Sequence, residues 1–304
     1  MKEIIGITGA SGMLGKHLMH ILSKKKFRII STSRKPVKYK KRGIYWKKLD
    51  LTKLKNEKQL DNIFEGITTI AHLGALVPAN IHYQNKNEIK KTNFDPTVLI
   101  SKWAIRNNIH LIYISGAIIY ENKNSKKIKE DSKINLFFHK DYYGESKKNC
   151  DVYLQKKMHP ENKITILRPT SIYGYGLNKN KIIMKLIRLT KLNKEIRLYK
   201  PFEKINLIHA IDVADAVYKS IIKKKYKIFN ISSDKLYSIK DLSKILININ
   251  KSKSKLKIYE NIDSSKIPDR FNTSSFKAKK SLGWINRTSL EKGLKLIINK
   301  KYGK

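Results

Sequence analysis

The chain has 304 residues, 40% of them hydrophobic, and a formal net charge of +42. It is long enough to bury a large core in one domain or in two closely joined domains. Its apolar runs are shorter than the roughly 20 residues that a membrane-spanning helix needs, and its first residues run directly into a glycine-rich turn, so we expect neither a membrane span nor a secretory signal.

The positive charge comes mostly from lysine, which is spread through nearly every polar stretch of the chain. Proteins that read nucleic acids more typically concentrate Lys and Arg on one element, with aromatic residues between them. The dispersed lysine is therefore better explained by genome-wide drift toward AT-rich codons than by a dedicated nucleic-acid site. The single cysteine, Cys150, excludes an intramolecular disulfide and is typical of a cytoplasmic protein.

Short apolar runs predict seven strands, which alternate with stretches of helical period in the first part of the chain. Strands that alternate with helices form a parallel sheet covered on both faces. The sequence therefore predicts an α/β fold with a doubly wound parallel sheet of the Rossmann type. The predicted strands cover residues 4–8, 27–33, 44–50, 68–75, 111–116, 164–169 and 227–232.

The alternation loosens after residue 169, where helices are predicted near 181–190, 238–250 and 289–299. Folds of this kind bind ligands beyond the carboxyl ends of their strands, so a lobe made of these later segments would close over that edge. We expect a dinucleotide-binding domain in residues 1–170, rejoined by 207–232, and a smaller interleaved substrate-binding lobe in 171–206 and 233–304. The polar segment 121–135 is predicted to be a surface loop near the same edge.

The stretch GITGASGMLGKHL follows the first predicted strand and opens the first predicted helix. Gly9, Gly12 and Gly15 allow a tight turn, close approach of a pyrophosphate, and close packing of helix on strand, while the helix N-terminus offers free amides. A glycine trio alone is weak evidence, but the flanking strand, helix and second strand are the context that supports a dinucleotide site.

The end of the second predicted strand bears on the choice of dinucleotide. A carboxylate there would hold both ribose hydroxyls of NAD, but this chain has Ser33 followed by Arg34 and Lys35. Cations at this position can accommodate a 2′-phosphate. The sequence slightly favours NADP over NAD.

Taken in order, the motifs resemble those of the extended short-chain dehydrogenase/reductase family, and within it the NAD-dependent epimerase/dehydratase group that acts on nucleotide sugars. The resemblance covers essentially the whole chain and is specific for the family, not for a substrate. The motifs are TGASGMLG at 8–15, LDLT at 49–52, HLGA at 72–75, TN at 92–93, ISGAIIY at 114–120, YGESK at 143–147, LRPTSIYGYG at 167–176, HAIDVADA at 209–216 and KKSLGW at 279–284.

The resemblance implies a cofactor-binding set, a substrate-binding set and a catalytic set of residues, and no metal ion. It also implies a homodimer formed through helices near 93–108 and 141–157. Asp50 can instead be a turn residue and His72 a core histidine, and each substrate candidate can equally be a packing or surface residue. With the turn glycines and Arg34 included, the cofactor set is Gly9, Ser11, Gly12, Met13, Leu14, Gly15, Arg34, Asp50, Leu51, Leu73, Gly74, Ala75, Tyr143 and Lys147. The substrate set is Leu76, Val77, Ser171, Asn206, His209 and Arg270, and Asn93 is a supporting residue.

By the same resemblance, Tyr143 and Lys147 form the catalytic pair. Residues four apart on a helix are neighbours, so the two side chains can stand together. An ammonium and an oxidised nicotinamide would both lower the pKa of the phenol from its usual value near 10, towards the range of a general base. Tyr143 would then exchange a proton with a substrate oxygen while hydride moves to or from the cofactor, and Lys147 would bind the nicotinamide ribose.

The third catalytic position departs from the family pattern. Family members usually carry Ser or Thr four residues before the turn tyrosine, here Tyr120, but this chain has Gly116. Ser115 is the nearest hydroxyl, although successive strand residues face opposite sides. Either Ser115 serves as the third catalytic residue, or another group replaces it, or activity is reduced. The glycine that usually follows the turn tyrosine is also replaced, by Glu121.

The same stretch excludes one reaction. Sugar 4,6-dehydratases of the family carry an Asp-Glu pair where this chain has Ala117 and Ile118, which cannot act as acid and base. The leading hypothesis is an NAD(P)-dependent epimerase or reductase of a nucleotide sugar. Two alternatives stay open: a reductase of a non-sugar carbonyl, and a catalytically impaired member that binds RNA or a protein.

Overall fold

The computed structural model describes residues 3–37, 41–78, 84–121, 127–138, 141–259 and 271–303. Its strands are β1 (Ile4–Thr8), β2 (Arg28–Ser33), β3 (Ile44–Lys48), β4 (Thr69–His72), β5 (His110–Ile114), β6 (Ile164–Pro169), β7 (Ser171–Tyr173), β8 (Ile196–Leu198), β9 (Lys204–His209), β10 (Ile228–Ile231), β11 (Leu236–Ser238) and β12 (Leu256–Ile258).

Helices alternate with these strands through most of the described chain. Short helical turns also form at Leu51–Lys53, Lys90–Phe94 and Ala117–Ile119. The α-helices are α1 (Met13–Leu22), α2 (Glu57–Ile63), α3 (Lys86–Ile89), α4 (Asp95–Arg106), α5 (Tyr142–Gln155), α6 (Ile182–Lys191), α7 (Ala210–Lys223), α8 (Ile239–Ile249), α9 (Phe276–Leu282) and α10 (Leu290–Ile298).

The main sheet has seven parallel strands in the order β10-β6-β5-β4-β1-β2-β3. This confirms the predicted doubly wound parallel sheet, and all seven predicted strands lie in it. The chain runs from β1 outward to β3 and then crosses back to β4 on the other side of β1. Such a reversal opens a crevice at the carboxyl ends of the two central strands.

Apolar faces of the helices cover both sides of this sheet. On one side, Leu18 and Leu22 of α1 pack with Val213 and Val217 of α7 and with the completely buried Trp284. The last residue of the KKSLGW motif, Trp284, is therefore part of the core. On the other side, α2, α4 and α5 pack against β4, β5 and β6. Because strands with two covered faces have no polar side, they read in the sequence as continuous apolar runs.

Two smaller sheets, β11-β9-β7 and β12-β8, lie outside the main one. Leu186 of α6, Leu246 of α8 and Leu294 of α10 share a separate apolar cluster with them. The three predicted helices of the later segments form with small shifts at their ends. The division into a dinucleotide domain and a substrate lobe at the stated boundaries stays a prediction. None of the helices in the described residues is both long and apolar enough to span a membrane.

A fully buried ion pair fastens the last third of α5 to β6. Arg168 donates to the two carboxylate oxygens of Asp151 at 2.6 and 3.0 Å, and both side chains are 0% exposed. The same guanidinium donates to the Tyr120 hydroxyl and the Glu130 carbonyl, each at 2.8 Å, and Tyr120 in turn donates to Asn230. The pair therefore joins α5, β6, β10 and two loops.

We expect Asp151→Ala to lower the free energy of unfolding by about 3–5 kcal/mol, because it leaves a buried guanidinium without its counter-charge. The matched control is Glu291→Ala, which breaks an exposed pair with Lys295 and is expected to cost less than about 1 kcal/mol. Urea denaturation measures both. Equal small losses in the two variants would contradict this assignment.

Candidate active site

The glycine turn after β1 is shaped by two close backbone contacts. Gly9 has a φ of +68°, and a Cβ on it would lie 2.6 Å from the Cα of Gly74. A Cβ on Gly15 would overlap the carbonyl oxygen of Gly9. At Gly12 the turn enters α1, whose N-terminus has no side-chain cap and no acidic residue in its first turn. Its free amides and positive dipole are therefore available to an anion.

A cleft opens beside this turn, at the reversal point of the sheet. It collects ten of the residues predicted to contact cofactor or substrate, while Met13 and Leu14 only begin α1 and Gly15 lies behind the turn. Four lining residues were not assigned a contact beforehand: Leu49 and Thr92 belong to quoted motifs, Ser33 was considered only for the choice of dinucleotide, and Thr32 carries no pattern of its own. The lining is Gly9, Ser11, Gly12, Thr32, Ser33, Arg34, Leu49, Asp50, Leu51, Leu73, Gly74, Ala75, Leu76 and Thr92.

Hydrogen bonds within and between the lining segments hold the polar rim of the cleft in place. Ser33 donates to the Ser11 hydroxyl at 3.0 Å, which ties the end of β2 to the glycine turn. The Asp50 carboxylate accepts from both the hydroxyl and the amide of Thr52, at 2.8 and 3.0 Å. These bonds and the nearby Arg34 lower the pKa of Asp50. Asp50 thus caps a turn, as one interpretation of this residue expects, and it also lines the cleft; its contact with a cofactor stays a prediction.

The predicted catalytic pair lies in the first two turns of α5. The Asp141 side chain caps this helix by accepting from the Gly144 amide at 3.0 Å, and the Tyr143 amide donates to the Gln84 side chain at 2.7 Å. Burial raises the pKa of the Tyr143 phenol well above its ordinary value, and the Asp141 carboxylate raises it further.

Lys147 is 5% exposed and is directed at β5. Its ammonium donates to the Ile114 carbonyl at 2.7 Å and approaches the Tyr113 hydroxyl at 3.5 Å, with the Tyr113 ring centre 4.9 Å away. Burial lowers the pKa of Lys147 to about 8, partly opposed by Cys150 and Asp151. In this structure burial dominates the pKa of Tyr143, and the lowering expected from the ammonium together with an oxidised nicotinamide stays a prediction.

The strand end before the turn tyrosine has an unusual polar arrangement. Ser115 is buried, and its hydroxyl has no hydrogen-bond partner in the described part of the chain. Gly116 has an extended backbone with a φ of 179°. A Cβ on it would have Ile118 Cγ2 as its nearest neighbour, at 3.5 Å. The structure therefore leaves room at position 116 for the side chain that the family pattern has there.

The predicted substrate residues do not all reach the cleft. Leu76 lines it, Val77 is 53% exposed beside it, and Ser171 is half-buried on β7. Arg270 lies outside the described residues. Asn206 and His209 are both buried.

The expectation that Asn206 and His209 meet substrate is not supported. The Asn206 side chain accepts from Thr170 at 2.8 Å and donates to the Ser233 carbonyl at 2.9 Å, so it braces neighbouring strands. His209 is completely buried and caps α7 by accepting from the Ile211 amide at 3.2 Å. Asn206 uses its polar atoms inside the protein, whereas His209 uses only Nδ1, and its buried Nε2 has no hydrogen-bond partner in the described residues.

Comparison with known proteins finds similar sequences and similar folds. The sequence model of the NAD dependent epimerase/dehydratase family matches residues 5–232. A curated relative, GDP-6-deoxy-D-talose 4-dehydrogenase of Aggregatibacter actinomycetemcomitans, is 25% identical over 260 residues, which cover 83% of this chain and 81% of the relative.

Solved structures of similar fold include two sugar-nucleotide epimerases. The UDP-glucose 4-epimerase of Thermotoga maritima, solved with UDP-glucose, has a TM-score of 0.83 at 20% identity over 98% of each chain. The UDP-glucuronic acid 4-epimerase of Bacillus cereus, solved with UDP-glucuronic acid and NAD, has a TM-score of 0.80 at 18% identity, also over 98% of each chain. At these identities the likeness establishes the fold.

We expect Lys147→Met to be more stable than the wild type near pH 7, by about 1–3 kcal/mol, because it removes a buried ammonium. Below pH 8 the lysine is protonated in both the folded and the unfolded protein. Between pH 8 and the ordinary lysine pKa of 10.5 only the unfolded chain keeps the proton, so wild-type stability rises with pH. The advantage of the variant should therefore shrink across this interval.

Urea denaturation of both proteins at pH 7 and at pH 10 measures this difference. Lys148→Met, one position along the same helix, controls for the loss of one lysine. An advantage of the same size at both pH values would show that the buried ammonium does not lose its proton.

Proposed function

Because the chain belongs to the NAD-dependent epimerase/dehydratase family, we propose that it is an NAD(P)-dependent epimerase or reductase that acts on a nucleotide sugar by hydride transfer. The observation that carries the proposal is an anion-ready glycine turn in a cleft whose wall is hydrogen-bonded, through Asn93, to the helix that bears Tyr143 and Lys147. Leu76 in the wall of the cleft is hydrogen-bonded to Asn93, which is hydrogen-bonded to Ser146, between the two catalytic candidates.

The residues of the cleft fit a dinucleotide. The uncapped N-terminus of α1 would bind the pyrophosphate, and the backbone at Gly9 and Gly12 leaves no side chain in its way. Ser33 and Arg34 at the end of β2 offer a hydroxyl and a cation to the adenosine ribose, which slightly favours NADP. Leu51 and Leu73 would provide apolar contacts for the adenine. Several solved structures of this fold contain NAD, so both dinucleotides are candidates.

The bound nicotinamide would supply or accept the hydride, while the protein handles the proton. Since burial keeps the Tyr143 phenol protonated, it is ready to donate a proton to a carbonyl oxygen as that carbon is reduced. The Lys147 ammonium would stabilise the phenolate that results. Transfer in the opposite direction requires Tyr143 to lose its proton first, and the positive charge of an oxidised nicotinamide would favour that loss.

The relatives support a reaction at a sugar carbon of a nucleoside diphosphate sugar. The name of the curated relative describes a 4-dehydrogenase, and those of the two solved structures describe 4-epimerases. Water elimination is not part of the proposal, because Ala117 and Ile118 offer no group that ionises. Epimerisation and reduction share one hydride step and one proton step, and they differ in whether the dinucleotide is consumed.

We also infer that two copies of the chain pair through α4 and α5. Phe94, Leu99 and Tyr153 are only partly buried on the outer face of these helices although they pack against the core. A two-fold contact would cover the same patch on both copies. Light scattering that found only monomers at micromolar concentration would exclude this arrangement.

The proposal is tested with the purified protein. Mass spectrometry identifies any retained dinucleotide. UDP-, GDP- and dTDP-sugars are then incubated with NAD or NADP, which can accept the hydride that starts an epimerisation, and the corresponding keto sugars are incubated with NADH or NADPH. A new isomer without net dinucleotide consumption indicates an epimerase, and one dinucleotide oxidised per product indicates a reductase. Reduction of simple carbonyls without any nucleotide-sugar product would contradict the proposed substrate class, and salt-sensitive RNA retention without turnover would contradict an enzyme.

We expect Tyr143→Phe to abolish turnover while leaving dinucleotide affinity nearly unchanged, because only the proton-carrying hydroxyl is lost. Tyr142→Phe, one position earlier on α5, is the matched control and should retain activity. Steady-state kinetics and dinucleotide titration measure the two effects. A Tyr143→Phe enzyme as active as the wild type would refute the role of this phenol.

We expect Gly116→Ser to raise kcat by at least about 10-fold, because it adds a hydrogen-bond donor where the family pattern has one and the site has space for it. Gly116→Ala, which adds the same Cβ without the hydroxyl, is the control and should not raise kcat. If Gly116→Ser has no effect and Ser115→Ala lowers kcat, Ser115 already serves as the donor and the expectation for position 116 is wrong.

A further inference from the structure

A chain of buried hydrogen bonds runs beneath the cleft from β1 to α4. At its centre lies His72, the last residue of β4, which is 1% exposed. Its Nδ1 lies 2.6 Å from the Thr8 hydroxyl and its Nε2 lies 3.0 Å from the Thr97 hydroxyl. The Gly74 amide donates to the Thr8 hydroxyl at 3.1 Å, and Thr97 donates to the Asn93 carbonyl at 2.6 Å.

The partners determine which ring nitrogen of His72 carries the proton. A carbonyl oxygen can only accept, so the single proton of Thr97 is used on Asn93. Thr97 must then accept from His72, which places the imidazole proton on Nε2. Burial lowers the pKa of His72 to about 3, so the ring is neutral and Nδ1 accepts from Thr8. Every bond from the Gly74 amide to the Asn93 carbonyl therefore has one direction.

The Asn93 side chain carries the chain of bonds onward to the catalytic helix. Its Oδ1 accepts from the Leu76 amide at 2.7 Å, and its Nδ2 donates to the Leu76 carbonyl and to the Ser146 hydroxyl, each at 3.1 Å. Ser146 in turn donates to the Tyr143 carbonyl at 2.8 Å. Residues 73–76 have no regular secondary structure, so these side chains supply backbone hydrogen bonds that a sheet or helix would otherwise provide.

We propose that His72, held as the Nε2-protonated tautomer, is a positioning residue that couples the dinucleotide-binding wall at residues 73–76 to the first turn of α5. Its role is to fix Gly74 through Thr8 on one side, and to fix Asn93 through Thr97 on the other. The inference rests on the proposed function, because it assigns residues 73–76 to the wall of a dinucleotide site.

The opposite tautomer would break this arrangement. With the proton on Nδ1, the bare Nε2 would face the Thr97 oxygen, and Thr97 could supply a proton only by giving up the Asn93 carbonyl. Thr8 would have to accept from the ring and find a new acceptor for its own proton. An apolar core residue at position 72 would likewise leave the two threonines without their shared partner, at a cost typical of buried unpaired hydroxyls.

The first experiment reads the tautomer directly in the wild-type protein. Nitrogen-15 NMR of the histidine-labelled chain, assigned with a His72→Gln spectrum, distinguishes a protonated from a bare ring nitrogen. We expect Nε2 of His72 to be protonated and Nδ1 to be bare between pH 6 and 8. A proton on Nδ1, or a doubly protonated ring in this interval, overturns the proposal without any variant having to fold.

The second experiment measures coupling to the cleft with Thr97→Val, which removes the acceptor at nearly constant volume. We expect a mixed or reversed His72 tautomer and about 5- to 10-fold weaker binding of NAD or NADP, the loss expected for one hydrogen bond. Thr97→Ser keeps the hydroxyl and should restore both readouts. Calorimetric titration below the unfolding temperature measures the affinities of folded protein only.

The outcomes separate this inference from the proposed function. A Thr97→Val protein that binds the dinucleotide as the wild type does, with an unchanged tautomer, contradicts the role of His72 alone. A wild-type protein that binds the dinucleotide but converts no nucleotide sugar contradicts the proposed function alone. Weaker binding by both the Val and the Ser variant would indicate a packing effect and would also overturn the inference.

Discussion

The close approach of two backbones at the reversal point of the sheet is the constraint on which the rest of the structure depends. Gly9 turns with a positive φ so that it can pass Gly74 without a Cβ on either residue. This contact brings the end of β1 against the end of β4. It leaves α1 pointing its free amides into the cleft. Every later residue of the site is positioned relative to these two strand ends.

Burial acts in opposite directions on the two catalytic candidates, and this determines their resting state. The same loss of solvent raises the pKa of Tyr143 and lowers that of Lys147, because each charged form is disfavoured. The neutral form of the Tyr143 phenol is therefore favoured. The Lys147 ammonium donates to the Ile114 carbonyl and not to the Tyr143 hydroxyl. In so dry a region, a positive charge brought close by a ligand would act on both groups far more strongly than in water.

Most of the main sheet was predictable because its strands are buried on both faces and appear as continuous apolar runs. The three-residue strands β7, β8, β11 and β12 were missed because so few residues establish no period. Motif spacing found most of the cleft, since the glycine turn and the residues after β3 and β4 are local features of the sequence. Thr32 was missed because it lines the cleft only after the end of β2 has been brought beside the glycine turn by the fold.

Side-chain partners are the part of the site that spacing could not supply. An interval of four residues on a helix predicts that Tyr143 and Lys147 are neighbours, but it does not say which acceptor the ammonium prefers. The His72 hydrogen bonds join residues separated by 64 and 25 positions. Their directions follow only when both partners of the ring are known, so the sequence could identify a core histidine but not its tautomer.

The helix that bears Tyr143 and Lys147 is attached to the rest of the protein near both ends, and this limits where their two side chains can lie. At its start, Gln84 accepts from the Tyr143 amide, and Ser146 receives a hydrogen bond from Asn93. Near its end, the Asp151 carboxylate is paired with a buried guanidinium on β6. Lys147 lies one helical turn after Tyr143 and one turn before Asp151. Sliding or rotation of α5 would break buried hydrogen bonds. The side chains of Lys147 and Tyr143 can therefore adjust through their own torsion angles while the helix stays in place.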